Sequence, residues 1–147
     1  MGTIYEDIAT AADQIATELS GHGYRLDFTL ASLAEVDRFL DDHAAPDAPA
    51  TGTLLSDRLG PWMFALGSYC GEVLSREAGG SWSWTGPDDD KAASTDTELV
   101  LVDGSRVFPL QRIWKRLMHG DEEAMAAWGA EMVTAVSWDE PPGPAAP

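Results

Sequence analysis

The chain has few cysteines, few basic residues and no long apolar run. Cys70 is its only cysteine among 147 residues, which excludes an internal disulfide and a cysteine-based zinc cluster. No apolar stretch approaches the ~20 residues that a membrane-spanning helix needs. The segment Met1–Glu6 has neither the basic nor the apolar region of a secretory signal. We therefore expect a protein that contacts no membrane and is located in the cytoplasm.

Basic residues are greatly outnumbered by acidic ones. Nine Lys and Arg against 25 Asp and Glu give a formal net charge of −16. Such a surface repels nucleic acid and accelerates association with a basic partner, although acidity also simply maintains solubility. A hydrophobic content of 44% with six Trp indicates a globular domain with one ordinary core.

The sequence also lacks the common motifs of metal, phosphate and nucleophilic chemistry. It contains no HExxH and no paired CxxC, and its three His share no metal-ligand spacing. The run Asp88–Asp90 is not followed by the glycine and glutamate of a calcium loop, because Ala93 and Leu99 stand at those positions. Cys70 falls within an apolar stripe and is interpreted as a buried structural thiol. We expect no cofactor and no metal, and an enzyme is the less favoured interpretation.

Hydrophobic periodicity predicts an α+β fold. Helices are expected at about 3–20, 32–43, 59–78, 110–119 and 121–136, the third of them central. Alternating segments predict three to four short antiparallel strands at 24–29, 81–85, 98–102 and 105–108. Asp103-Gly104 predicts a type I′ hairpin turn, and Ser32–Glu35 predicts a capping box. Residues 1–138 are expected to form a single domain, and residues 139–147 a disordered Pro-rich tail.

The predicted central helix has two distinct flanks. Gly60, Gly67 and Gly71 fall together on one of them, which predicts that another backbone approaches closely there. On the other flank, Glu72 and Arg76 have the i,i+4 spacing of an ion pair.

Tyr69 precedes Glu72 by three residues and joins this second flank. A grouping of Tyr69, Glu72 and Arg76, with Trp82 or Trp84 as a wall, could bind a polar ligand or transfer a proton. A partly buried ion pair that merely fixes the helix is the alternative interpretation.

The predicted helix at 110–119 carries a local reversal of charge. Arg112, Lys115, Arg116 and His119 recur at i, i+3, i+4 and i+7, opposite the predicted buried stripe. An exposed strip of this kind could hold a phosphate or an acidic partner, or could be the ordinary solvated side of an amphipathic helix.

The segments Leu66–Val73 and Gly79–Trp82 resemble small bacterial domains of unknown function. Those domains carry an LGxYxGEV…GGxW pattern followed by a proline and a short basic helix. The residues that correspond to the second part are Pro109, Lys115, Arg116 and Gly120. The resemblance covers about residues 24–130 and implies no activity or cofactor. In size and acidity the chain is also similar to some immunity proteins of bacterial toxin systems.

These observations favour a non-enzymatic, acidic protein-binding domain, of the immunity or antitoxin type, directed toward a basic partner. The alternative is a small-ligand binder or enzyme that uses Tyr69, Glu72 and Arg76. A phosphate or nucleic-acid contact through the helix at 110–119 is the least favoured hypothesis, because the overall charge opposes it.

Overall fold

The computed structural model describes residues 4–45, 48–49, 59–83, 97–120 and 124–139. Within these residues the α+β prediction is confirmed, with five α-helices and a three-stranded antiparallel sheet. The helices are α1 (Ile4–Ser20), α2 (Leu33–His43), α3 (Leu59–Ala78), α4 (Pro109–His119) and α5 (Met125–Asp139). The strands are β1 (Ala44–Ala45), β2 (Ala48–Pro49), β3 (Gly80–Ser83), β4 (Glu98–Leu101) and β5 (Arg106–Val107). None of the described helices is long and apolar enough to cross a bilayer.

Helix α3 is the centre of the core, as its apolar stripe predicted. It packs against α1, α4 and α5, and Met63, Leu66 and Val73 on it are fully buried. Burying an apolar side chain of this size stabilises the fold by about 1.5–3 kcal/mol relative to leaving it exposed. Helices α1, α4 and α5 therefore pack around the apolar stripe of α3.

Two glycines of α3 permit this close packing. A Cβ atom on Gly67 would lie 3.0 Å from the Cα atom of Leu110, and one on Gly71 would overlap the ring of Trp82. Gly67 confirms the predicted close approach of another backbone, which is that of α4. At Gly71 the close neighbour is a side chain of β3 rather than a backbone. Gly60 does not share this role, because a Cβ atom there would meet no atom within 4 Å.

Strand β4 lies between β3 and β5, and both neighbours are antiparallel to it. The hairpin after β4 differs from the prediction, because Gly104 (φ 89°) is the residue of that turn with positive φ and Asp103 is not. The Gly104 amide donates to the Leu101 carbonyl (2.9 Å), and the Leu101 amide donates to the Ser105 carbonyl (2.8 Å). The connection is thus a three-residue loop with a left-handed glycine rather than a type I′ turn.

The predicted strand at 24–29 is wrong. In the described chain this segment pairs with no strand, because Phe28 adopts φ 63° and turns the backbone out of the extended conformation. The antiparallel pair β1–β2 instead forms between the predicted helices at 32–43 and 59–78, where no strand was predicted. Strand β3 ends at Ser83, so the predicted strand residue Trp84 lies outside the described residues.

The start of α2 also differs from the prediction. The Ser32 amide donates to the Thr29 carbonyl (3.0 Å), and the Glu35 carboxylate accepts the Arg25 amide (2.9 Å) instead of closing a capping box. Residues 121–123 at the start of the predicted last helix, the acidic run at 88–90 and residues 140–147 of the predicted tail lie outside the described residues.

Candidate functional site

Glu72 and Arg76, which were predicted to form one group on α3, contact different residues. The carboxylate Oε2 of Glu72 accepts a hydrogen bond from the indole Nε1 of Trp82 at 2.9 Å. The guanidinium of Arg76 lies over the ring of Phe28, 3.9 Å from its centroid. In the described part of the chain, Glu72 and Arg76 form no ion pair with each other. The predicted pair is wrong because each side chain has a different neighbour brought by the tertiary fold.

Tyr69 faces away from solvent and anchors the segment before α2. It is fully buried, and its hydroxyl accepts the backbone N–H of Phe28 at 2.8 Å. The Ser32 hydroxyl donates to the Thr29 carbonyl (2.6 Å), so the Tyr69 hydroxyl donates to Ser32 Oγ at 2.6 Å. Burial raises the pKa of Tyr69, which keeps the phenol neutral as a donor.

Phe28 connects Tyr69 with Arg76. Its ring contacts both, with its centroid 4.8 Å from the Tyr69 ring centroid and 3.9 Å from the guanidinium carbon of Arg76. Among the described residues, Phe28 is the one non-glycine with positive φ. Such a conformation costs about 1–3 kcal/mol and persists only where its surroundings hold it.

A short turn formed by exposed residues on either side of Phe28 also holds its backbone in place. The carboxylate of Asp27 accepts the Thr29 hydroxyl (2.6 Å) and the Thr29 amide (3.2 Å). The hydrogen bond from the hydroxyl is the main cause that lowers the pKa of Asp27. Phe28 is therefore fixed by Tyr69 on its buried side and by the Asp27 turn on its exposed side.

Replacing Tyr69 with phenylalanine should lower the free energy of unfolding by about 1–2 kcal/mol. The variant keeps the buried ring but leaves the Phe28 amide and the Ser32 hydroxyl without their shared partner. Urea unfolding monitored by tryptophan fluorescence measures the change. Ser32→Ala serves as the comparison, because it removes the bonds of Ser32 to Tyr69 and to the Thr29 carbonyl but leaves the Phe28 amide bonded to Tyr69. Equal stability of Tyr69→Phe and the parent protein would contradict the role given to this hydroxyl.

The cationic strip on α4 is not a continuous exposed face. Lys115 and His119 are exposed, and Arg112 is half-buried with its guanidinium 6.0 Å from the Trp128 ring centroid. Arg116 is only 3% exposed, which corrects the prediction that it faces solvent. The helical pattern could not show this, because it contains no information about acids on other elements.

Arg116 and Asp37 form the most connected polar group among the described residues. The Nε atom of Arg116 donates to Asp37 Oδ1 at 2.9 Å, and Nη2 donates to Asp41 Oδ1 at 2.7 Å. The Asp37 carboxylate also accepts the backbone amides of Met125 (2.8 Å) and Ala126 (2.9 Å). Asp37 therefore caps the N-terminus of α5 from another helix and neutralises a buried guanidinium at the same time.

A second polar cluster, which the sequence did not reveal, lies beside α2. The Tyr24 hydroxyl donates to Asp42 Oδ2 at 2.6 Å and lies 3.3 Å from the Nε2 atom of His43. Burial, followed by the hydrogen bond to Asp42, raises the pKa of Tyr24 to about 12. Arg38 lies over the Tyr24 ring and pairs with Glu35 at 2.7 Å, which lowers the pKa of Glu35 to about 2. The cluster thus holds a neutral phenol and a satisfied ion pair.

The remaining candidates are structural or lie elsewhere. Cys70 is buried as predicted, and desolvation raises the pKa of its thiol well above the ordinary value. The described residues include no group of three or more His, Cys, Asp or Glu arranged to hold a metal ion. An open groove of about 440 Å³ on α5 is lined by none of the predicted site residues.

No protein family model, no curated protein and no solved structure matches this chain. The resemblance of the LGxYxGEV…GGxW pattern to small bacterial domains therefore stays a prediction. The arguments about function that follow depend on the chain's own geometry and charge.

Proposed function

We propose that this chain is a non-enzymatic, acidic protein-binding domain whose partner is a basic protein. The observation that carries the proposal is the charge of α1, which contains four acidic residues and neither Lys nor Arg. Asp13 and Glu18 on this helix are exposed, and their carboxylates pair with no cation in the described chain.

The distribution of cations supports the same proposal. Three arginines form ion pairs with acids of this chain: Arg38 with Glu35, Arg106 with Glu98, and Arg116 with Asp37 and Asp41. Because these cations are already engaged internally, they neutralise little of the field around α1. A surface with one sign of charge accelerates the approach of a partner with the opposite sign, with an effect that falls as salt rises.

A basic toxin or nuclease is a partner of this chemistry, so an immunity or antitoxin role in the cytoplasm fits the proposal. The alternative, a small-ligand binder using Tyr69, Glu72 and Arg76, needs side chains that converge on one cleft. The geometry supports it less, because Glu72 is bonded to Trp82 and Tyr69 is fully buried.

Capture experiments at two salt concentrations test this function. The full chain should retain a basic partner in stoichiometric amount at low salt and lose much of it at high salt. Once that partner is purified, Asp13→Asn with Glu18→Gln should slow its association by about threefold or more, with little change in dissociation.

The matched control is Glu131→Gln, which removes an exposed charge from α5 instead. It should alter association less than the paired α1 substitutions do. Failure to capture any salt-sensitive partner, or an equal effect of the α1 and α5 substitutions, would contradict the proposal.

A further inference from the structure

Arg76 differs from the other described arginines in being both exposed and held in place without an acidic partner. Its side chain forms no ion pair or hydrogen bond in the described structure, although the chain contains 25 acids. Its helical neighbour Glu72, which could have neutralised it, is bonded to Trp82 at 2.9 Å. The planar N–H groups of the guanidinium are therefore free to donate to a bound group.

The ring beneath Arg76 belongs to a residue with an energetically unfavourable backbone conformation. Phe28 has φ 63°, and its amide is held by the buried hydroxyl of Tyr69. The Oδ1 atom of Asp27, the acid next to Phe28 in sequence, accepts the hydroxyl and the amide of Thr29. Backbone strain of this kind is found at sites where one side chain must be presented in a fixed orientation. Here the strained residue presents its aromatic face to the guanidinium.

We propose that Arg76, stacked on Phe28, is a binding site for an oxyanion, with a carboxylate as the preferred group. A guanidinium fixed by a stacked ring loses less freedom on binding than one on a mobile side chain, and its edge matches a carboxylate with two parallel hydrogen bonds. This site is independent of the acidic face of α1, since it requires an anion rather than a cation.

Three arginines of this chain form a matched set for the test. Arg76 is stacked on a ring and pairs with no acid in the described part of the chain. Arg38 is stacked on Tyr24 but forms an ion pair with Glu35 and a hydrogen bond to the Gly23 carbonyl. Arg25 is exposed and has neither a stacked ring nor an ion pair among the described residues. Stacking without pairing is thus the property that distinguishes Arg76 from the other two.

Sodium acetate and inorganic phosphate are titrated separately into ¹⁵N-labelled full-length chain at constant ionic strength, with sodium chloride as the balancing salt. The arginine Nε–Hε resonances report binding at each position. Arg76 should saturate at concentrations about threefold or more below Arg25, while Arg38 should barely respond. A stronger response to acetate identifies a carboxylate as the ligand group, and a stronger response to phosphate identifies a phosphate in its place.

Phe28→Leu keeps an apolar side chain but removes the aromatic face, and it should reduce the response of Arg76 to the level of Arg25. If that variant does not fold, Arg76→Gln provides the same test, because the backbone amides at 27–29 should then lose their response to either anion. Equal titration curves for Arg76 and Arg25 in the parent chain would overturn the proposal. So would an undiminished response of Arg76 in folded Phe28→Leu.

Discussion

Replacing Asp37 with alanine is expected to lower the free energy of unfolding by about 3–5 kcal/mol. The substitution leaves the guanidinium of Arg116, which is 3% exposed, without its main partner. It also removes the acceptor of two backbone amides at the start of α5, and a lost helix cap alone costs about 0.5–2 kcal/mol. Because small domains are stable by only about 5–15 kcal/mol, urea unfolding should show a large shift of the midpoint.

Asp41→Ala is the matched control for this prediction. The Asp41 carboxylate accepts a hydrogen bond from the same guanidinium at 2.7 Å, but its side chain is 55% exposed and caps no described helix. An exposed partner of this kind contributes about 0–1 kcal/mol. If the two alanine variants lose similar stability, the capping of α5 by Asp37 does not have the importance given to it here.

Replacing Gly71 with alanine is expected to lower the free energy of unfolding by about 3 kcal/mol. The added methyl group would overlap the ring of Trp82 and would lie 3.0 Å from the Cγ atom of Pro109. The ring must move to make room, which also disturbs its hydrogen bond to Glu72. A fall in the urea midpoint together with a changed tryptophan emission spectrum would report both effects.

Gly60→Ala supplies the comparison on the same helix. A Cβ atom at Gly60 meets nothing within 4 Å, so this variant should remain within about 1 kcal/mol of the parent. Comparable losses at Gly60 and Gly71 would mean that α3 tolerates no alanine in place of glycine, whatever lies beside it. The close packing of Trp82 would then not be the cause.

The sequence predicted the elements whose signals are local. The bounds of α3 follow from a stripe of apolar residues, and the buried state of Cys70 follows from its place in that stripe. The close approach of another backbone at Gly67 was also predictable, because glycine in a helix interior has a cost that packing must offset. Each of these signals lies within a single turn or helix.

The errors have a common physical origin in contacts between distant segments. Arg116 appears exposed on a helical wheel, yet it is buried in an ion pair with Asp37, which lies 79 residues earlier. Phe28 continues an alternating pattern, but Tyr69, 41 residues later, fixes its backbone in a turn. A periodic pattern depends only on residues that are close in sequence, so it does not reveal partners of this kind. The residues that contact each other at the candidate site therefore could not be predicted from it.

The cap that Asp37 provides also has a consequence for the order of folding. Met125 and Asp37 are separated by 88 positions, so the start of α5 obtains its acceptor only after a long loop has closed. Contacts of such separation form late, and a helix that depends on one docks after its neighbours. We therefore expect α5 to join the structure last, with Asp37→Ala accelerating unfolding far more than it slows folding.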